Sequence, residues 1–395
     1  MLGAECFNCS LCLQKTFVNL DNIGMRILFT GGGTGGHFFP IVAVAREIKD
    51  IAEVERILDA RFFYIGPRSQ GEEALEKEDV VISHIAAGKI RSYFSFENFI
   101  DFFKTGYGLL QAFWKLFILM PDAVFSKGGY GSFPVLFVAR IYRLPVIIHE
   151  SDIIPGKVNA WASRFAKRIA VSFAKTAEFF PKDKVAVTGN PVRKRLLGGN
   201  ISEAREEFKA FSEKPVVFII GGSQGSQVLN DTTLGILKDL VRRYEVIHQT
   251  GAKNHEDVLL QVRLILENKM EDYHAYPFLD EGQLRNAYLL SNIIVSRAGA
   301  GVIFEIAAWG KPSIIVPLKD AAQDHQRENA YEYGRAGAAI VIEEANLTPQ
   351  ILLHEIDSVI GDEARLKKMS EAAQRFSRID GTEVIAREIL KLGLH

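Results

Sequence analysis

The sequence predicts an α/β protein of two doubly wound, Rossmann-like parallel sheets that face one cleft. Three observations carry this reading. Short β-branched or aromatic runs alternate with helical patterns along nearly the whole chain. A strand that ends in a glycine turn and opens a helix occurs twice, at Gly31–Gly36 and again at Gly221–Ser226. The length of 395 residues exceeds what one ordinary core holds.

The first series of strands is expected at residues 25–30, 61–65, 80–85, 122–126, 145–149, 169–173 and 185–188. A break at Gly189-Asn190-Pro191-Val192-Arg193, followed by a polar stretch up to Lys214, separates it from the second. The second series is expected at 216–220, 245–249, 273–275, 293–295, 313–316 and 339–341. The domains are accordingly set at 25–190 and 191–375. The end of the chain, helical by pattern from Glu363, is expected to return to the first domain over about 376–395. Residues 1–24 read as a leader or a start assigned too early, with Met25 as the natural beginning.

Composition limits the options. The chain is 48% hydrophobic and 24% charged, with a net charge of −1, the profile of a globular protein. No uninterrupted apolar run reaches the ~18 residues a membrane span needs. The three cysteines, Cys6, Cys9 and Cys12, all precede the first strand, so the folded body has no disulfide or cysteine metal cage. Their spacing lacks a fourth ligand for zinc. No nucleic-acid partner is expected.

At Gly31–Gly36, glycines let backbone N–H groups approach a phosphate, and the positive end of the following helix favours an anion. A tight turn without a ligand is the plainer alternative. Gly31, Gly33 and Gly36 also match a dinucleotide-binding fingerprint, but that reading needs an acidic residue after the second strand, where Gly66-Pro67-Arg68 stands instead.

Between Lys89 and Met120 the chain changes character. Phe94, Phe96, Phe99, Phe102, Phe103, Tyr107, Phe113, Trp114 and Phe117 crowd among Lys89, Arg91, Lys104 and Lys115. From Val80 to Lys175 there are twelve Lys and Arg against five Asp and Glu, a local excess of +7. Aromatics among cations suit a membrane interface with anionic lipid. An aromatic-rich pair of core helices fits the same periodicity.

Polar clusters stand at the other strand ends and helix starts: Lys127 to Pro134, His149-Glu150-Ser151-Asp152 with Asn159, Ser296 to Glu305, and Asp324-His325-Gln326 with Asn329. Gly-Gly-Thr-Gly-Gly-His at 32–37, His-Glu at 149–150, Gly-Asn-Pro-Val-Arg at 189–193, Gly-Gly-Ser-Gln-Gly at 221–225, and the Ser296 to Ala300 segment leading to Glu305 then occur in a fixed order. In these segments the chain resembles the MurG family of peptidoglycan glycosyltransferases, from Met25 almost to the C-terminus.

The resemblance implies a GT-B fold and an inverting transfer of N-acetylglucosamine from UDP-N-acetylglucosamine to lipid I, at the cytoplasmic face of the membrane. Carried over by position, Arg193, Ser223, Leu279, Ala300, Gly301, Glu305, His325 and Gln326 would bind the donor. Glu305 would take the ribose hydroxyls, and Ser223 with the N–H groups of Ala300 and Gly301 would hold the diphosphate. Gly32, Gly33, Thr34, Gly35, Gly36, Gly128, Gly129, Tyr130 and Asn159 would cradle the acceptor pyrophosphate. Phe94, Phe96, Phe99, Trp114, Lys89 and Arg91 would meet the membrane. His37 is the first candidate for the catalytic base, with Glu150 and Asp152 as rivals. No cofactor or metal is expected, since the chain has no D-x-D.

Two departures stand out. The family usually has His-Glu-Gln-Asn where this chain has His149-Glu150-Ser151-Asp152, so a carboxylate replaces an amide. An added negative charge beside a pyrophosphate is unfavourable unless Asp152 is a base or is paired with Lys157. Val302 stands where the family usually has Thr. Rival readings are another UDP-sugar enzyme on the same scaffold, a glycolipid glycosyltransferase or UDP-sugar 2-epimerase, and a non-catalytic membrane-docked sensor.

Overall fold

The computed structural model of the protein describes residues 24–32, 35–55, 60–68, 71–88, 96–222, 224–267, 270–319, 321 and 324–394, without the side chains at 35–37, 96–98 and 100. The cysteine-bearing leader, Gly33, Thr34, Ser223, Lys89, Arg91 and Phe94 lie outside the described residues, as do the side chains of His37 and Phe96.

Every expected strand is present. The first sheet contains β1 (Arg26–Thr30), β2 (Arg61–Gly66), β3 (Val81–His84), β4 (Ala123–Ser126), β5 (Val146–Glu150), β6 (Arg168–Val171) and β7 (Val185–Val187), in the order β3-β2-β1-β4-β5-β6-β7. The second contains β8 (Val216–Ile220), β9 (Glu245–Gln249), β10 (Tyr273–Tyr276), β11 (Ile293–Arg297), β12 (Ser313–Val316) and β13 (Ala339–Val341), in the order β10-β9-β8-β11-β12-β13. The neighbouring strands described run parallel, which requires helical crossovers and buries both faces. That burial is why the strands read as near-continuous apolar runs. Strand order reverses between β1 and β4 and between β8 and β11, the points where such sheets leave a crevice at their carboxyl ends.

Each sheet is covered on both sides. Ile41, Val44 and Ile48 of the helix Gly35–Val54 pack on one face of the first sheet, and Leu116, Val135 and Leu136 on the other. The C-terminal helical stretch does not run unbroken. It divides into Glu363–Phe376 and Gly381–Gly393, and the second helix inserts Ile385, Ala386, Ile389 and Leu390 beside Ile27 and Phe29 of the first sheet. The crossing is tight: a Cβ on Gly381 would lie 1.8 Å from the Thr188 carbonyl oxygen, so only glycine fits.

The helix Phe96–Leu119 decides between the two aromatic readings. Its inner face carries small residues at the close approach, with Leu116 in the core. Gly108 lies against the Ala86 carbonyl, Ala112 and Leu116 are buried, and the Gln111 side chain accepts the Ala86 N–H at 2.7 Å. The large apolar side chains point outward: Phe99 is 61% exposed, Phe103 61%, Tyr107 60%, Leu110 64% and Trp114 62%. Their spacing of three and four residues puts them on one face. The core-helix reading fails because close approach needs small residues on the buried side.

Candidate functional site

Four glycine-containing turns converge from the two switch points. After β1 and β4, Gly31–Gly32 and Gly128–Gly131 pack directly on one another. A Cβ on Gly32 would meet the Gly131 backbone nitrogen at 2.6 Å, and Tyr64 donates its hydroxyl to the Gly31 carbonyl at 2.9 Å. Glycine is therefore needed at Gly32 and Gly131 for the two turns to touch, apart from any ligand. On the second sheet the situation differs. A Cβ on Gly299 or Gly301 would meet nothing within 4 Å, so the start of the helix Ala300–Ala308 opens onto free space. Its first N–H groups and the helix dipole there suit a phosphate.

Five residues along that helix, Glu305 accepts from Arg193 Nη2 at 3.0 Å through Oε1 and from the Tyr288 hydroxyl at 3.0 Å through Oε2. Burial, then the charge of Glu305, pushes the Tyr288 phenol well above its ordinary value, so it remains a donor. Arg193 follows the interdomain break and joins both domains. Its guanidinium lies 4.4 Å from the ring centroid of Phe39 in the first domain, and Nη1 stands 3.6 Å from Glu281. Its Nε is buried and has no partner among the described residues. Glu281 also meets Arg46 of the first domain at 3.2 Å, and Arg46 holds Glu78 at 2.7 Å.

The remaining donor candidates also lie on the second domain. The Leu279 N–H is taken by Gln249 Oε1 at 3.0 Å, while Gln249 Nε2 donates to the Gly222 carbonyl at 2.9 Å. Gln249 thus braces the Gly221–Ser226 turn, a role not visible in its sequence neighbourhood. His325 opens the helix His325–Arg335, and Gln326 accepts the Leu318 N–H at 3.1 Å.

On the acceptor side, Glu150 ends β5 and is fixed within its own loop. Its carboxylate accepts from Gly156 N at 2.9 Å, Asn159 Nδ2 at 2.9 Å and Asp152 N at 3.2 Å. Burial, followed by the Asp152 charge, still holds its carboxyl above the usual range. Asn159 differs from the sequence expectation. Its Nδ2 donates to Glu150 and to the His149 carbonyl, and its Oδ1, an acceptor, can offer a pyrophosphate anion nothing. Asn159 braces the loop instead. Asp152 is partly exposed, and its Oδ1 accepts from Asn329 Nδ2 of the second domain at 2.8 Å rather than pairing with Lys157.

Beneath this loop lies a buried lysine to which the sequence motifs assign no role. Lys127 Nζ contacts His149 Nδ1 at 2.6 Å, Asn190 Oδ1 at 3.1 Å and the Ser151 hydroxyl. Burial pushes its amine down to about 7, against the opposing charges of Glu150 and Asp152. A lysine beside a glycine turn carries no sequence signal that it turns inward.

Comparison with known proteins agrees with this architecture. Residues 27–171 match the glycosyltransferase family 28 N-terminal domain and residues 216–385 its C-terminal domain. The chain is 37% identical over 369 residues to a Treponema denticola protein, covering 88% of this chain and 92% of that one. Its name is UDP-N-acetylglucosamine--N-acetylmuramyl-(pentapeptide) pyrophosphoryl-undecaprenol N-acetylglucosamine transferase. The crystal structure of Acinetobacter baumannii MurG superposes with a TM-score of 0.70 at 26% identity, over 93% of this chain and 99% of that one. A Neisseria meningitidis UDP-GlcNAc 2-epimerase bound to UDP-GlcNAc shares the fold alone, with a TM-score of 0.66 at 16% identity over 93% of this chain and 100% of that one. The fold is GT-B, and the chain belongs to glycosyltransferase family 28.

Proposed function

We propose that this protein transfers N-acetylglucosamine, with inversion, from UDP-N-acetylglucosamine to the muramyl 4-hydroxyl of lipid I, completing the disaccharide of a peptidoglycan precursor. The observation that carries the reading is the open helix start at Ala300 with Glu305 and Arg193 beside it, in a chain 37% identical to a protein named for this transfer. The second domain, 191–375, would hold the donor: N–H groups at Ala300 and Gly301 receive the diphosphate, Glu305 accepts from the ribose hydroxyls, and His325 and Gln326 read the sugar. As UDP departs, the helix dipole stabilises the growing negative charge on the diphosphate. Ser223 is assigned to the same phosphate by its position in the turn.

Inversion requires the acceptor hydroxyl to attack from the face opposite UDP, with a base removing its proton. His37 remains the first candidate by its position at the end of the first glycine turn. Of the two carboxylates, Asp152 is the better rival, because the oxygens of Glu150 are already bound by three donors within its loop. The turns at Gly32–Gly36 and Gly128–Tyr130 border the space where the acceptor pyrophosphate would lie.

The outward aromatic face of Phe96–Leu119 favours a lipid-borne acceptor over the epimerase reading, which has no use for it. Among the described residues no helix is long and apolar enough to cross a membrane. The protein would thus sit peripherally on anionic lipid at the cytoplasmic face, where the nucleotide sugar is available. Incubation with radiolabelled UDP-N-acetylglucosamine and a short-chain lipid I analogue tests the proposal. Label in the lipid product supports it; conversion of the donor without acceptor labelling overturns it.

A further inference from the structure

Three contacts of Lys127 among the described residues belong to three different parts of the fold. His149 ends β5, Ser151 lies in the loop with Glu150 and Asp152, and Asn190 lies in the break between the domains. The polarity of the network is consistent throughout. His149 Nε2–H donates to the Gly189 carbonyl at 3.0 Å, which leaves Nδ1 as an acceptor, and the Ser151 hydroxyl donates to Asn190 Oδ1 at 3.0 Å. Three acceptors therefore surround a group with three N–H donors. Lys127, His149 and Asn190 are 1%, 0% and 2% exposed, so this is an interior fixture and not a surface ion pair.

The contacts of Lys127 with Ser151 and Asn190 lead to the interdomain boundary. Past Ser151, Asp152 and the Ile153 N–H hold Asn329 of the second domain at 2.8 and 3.1 Å. Past Asn190, Val192 is held by Thr382, and Arg193 reaches Glu305. The Ser151 position also carries one of the family departures, and a short serine leaves its hydroxyl within reach of the lysine.

We propose that Lys127 is a positioning residue that pins the Glu150–Asp152 loop to the Gly189–Asn190 hinge, and so fixes the acceptor-side groups in register with the donor domain. The proposal rests on the transfer reading above. In this proposal Lys127 acts through the loop and the hinge, not by contact with either substrate. Loss of the pin should disturb only what needs both domains in register, since the proposed phosphate and ribose contacts belong to the second domain.

The test compares Lys127→Met, Asn190→Ala and the double variant with the wild type, using calorimetric UDP binding, thermal melting, and kcat for transfer to a lipid I analogue. Lys127→Met should lower kcat at least tenfold while the Kd for UDP stays within threefold. Asn190→Ala should show the same split, and the double variant should be no slower than the worse single one. Asn190→Ala retains the lysine and keeps the proposal testable if Lys127→Met does not melt cooperatively. A kcat within twofold of wild type in Asn190→Ala, multiplying effects in the double variant, or a loss of UDP affinity matching the loss of kcat would overturn it. Wild-type protein that binds UDP but does not transfer would refute the transfer reading instead.

Discussion

Replacing Phe102, Leu110 and Trp114 together with Ser should detach the protein from anionic vesicles without destabilising it. These side chains are 73%, 64% and 62% exposed on the helix Phe96–Leu119. A large apolar side chain carries ~200 Å² of surface, so roughly 130 Å² of each is open to solvent. At ~25 cal/mol per Å², immersing one in hydrocarbon is worth about 3 kcal/mol, and three about 9. Insertion to the headgroup boundary realises about half of this, ~4–5 kcal/mol, which is ~1000-fold in the partition coefficient. Folding gains little from rings that remain in water, so stability should change by no more than ~0.5 kcal/mol per site. Sedimentation with vesicles containing phosphatidylglycerol measures the first effect and thermal melting the second. Unchanged partitioning would refute the membrane role of this face. A sharp fall in melting temperature would show that the rings support the core.

Glu305→Gln keeps the size of the side chain but removes the charge facing Arg193, and should weaken UDP binding by about 1.5–3 kcal/mol; equal affinities by calorimetry would reject its ribose role. His248 is wholly buried between Tyr273 and Asn230, and burial holds its imidazole down to about 3. A depressed histidine gives stability that is present above the unfolded value near 6.5 and lost as pH falls from there toward 3. Between pH 7.5 and 5, wild type should therefore lose about 2 kcal/mol more than His248→Gln in urea denaturation, and parallel losses would contradict the assignment. Arg46→Met leaves Glu78, 5% exposed, without its closest cation, and should cost about 3 kcal/mol. Glu281→Gln removes a partner that is 28% exposed and should cost nearer 1 kcal/mol, so the reverse order in denaturant would show that the interdomain contact dominates.

The sheets were legible because parallel strands are buried on both faces, so β1, β8 and β11 appear as apolar runs whatever surrounds them. Their ends were legible because each switch-point strand runs into glycine. A returning C-terminal segment over about 376–395 was expected, but the interruption at 377–380 was not, since residues 363–394 keep a helical pattern and the close Gly381–Thr188 approach is a tertiary contact. Aromatic periodicity gave the face of Phe96–Leu119 but not its direction. Direction depends on which side packs closely, and Gly108 reveals this only once Ala86 is seen against it.

The sequence alone thus determined two parallel sheets, four turns at their carboxyl ends and the family motifs, because backbone conformation and burial depend on local residue type. Tertiary structure decided which of those residues have hydrogen-bonding capacity left for a substrate. Asn159 and Glu150 have theirs taken by their own loop, Gly32 is glycine because Gly131 touches it, and Lys127 turns inward to meet Asn190 at the hinge. Gly32 and Lys127 depend on partners tens of positions away, and the Glu150–Asn159 pairing depends on how the loop between them closes, which residue type alone does not encode.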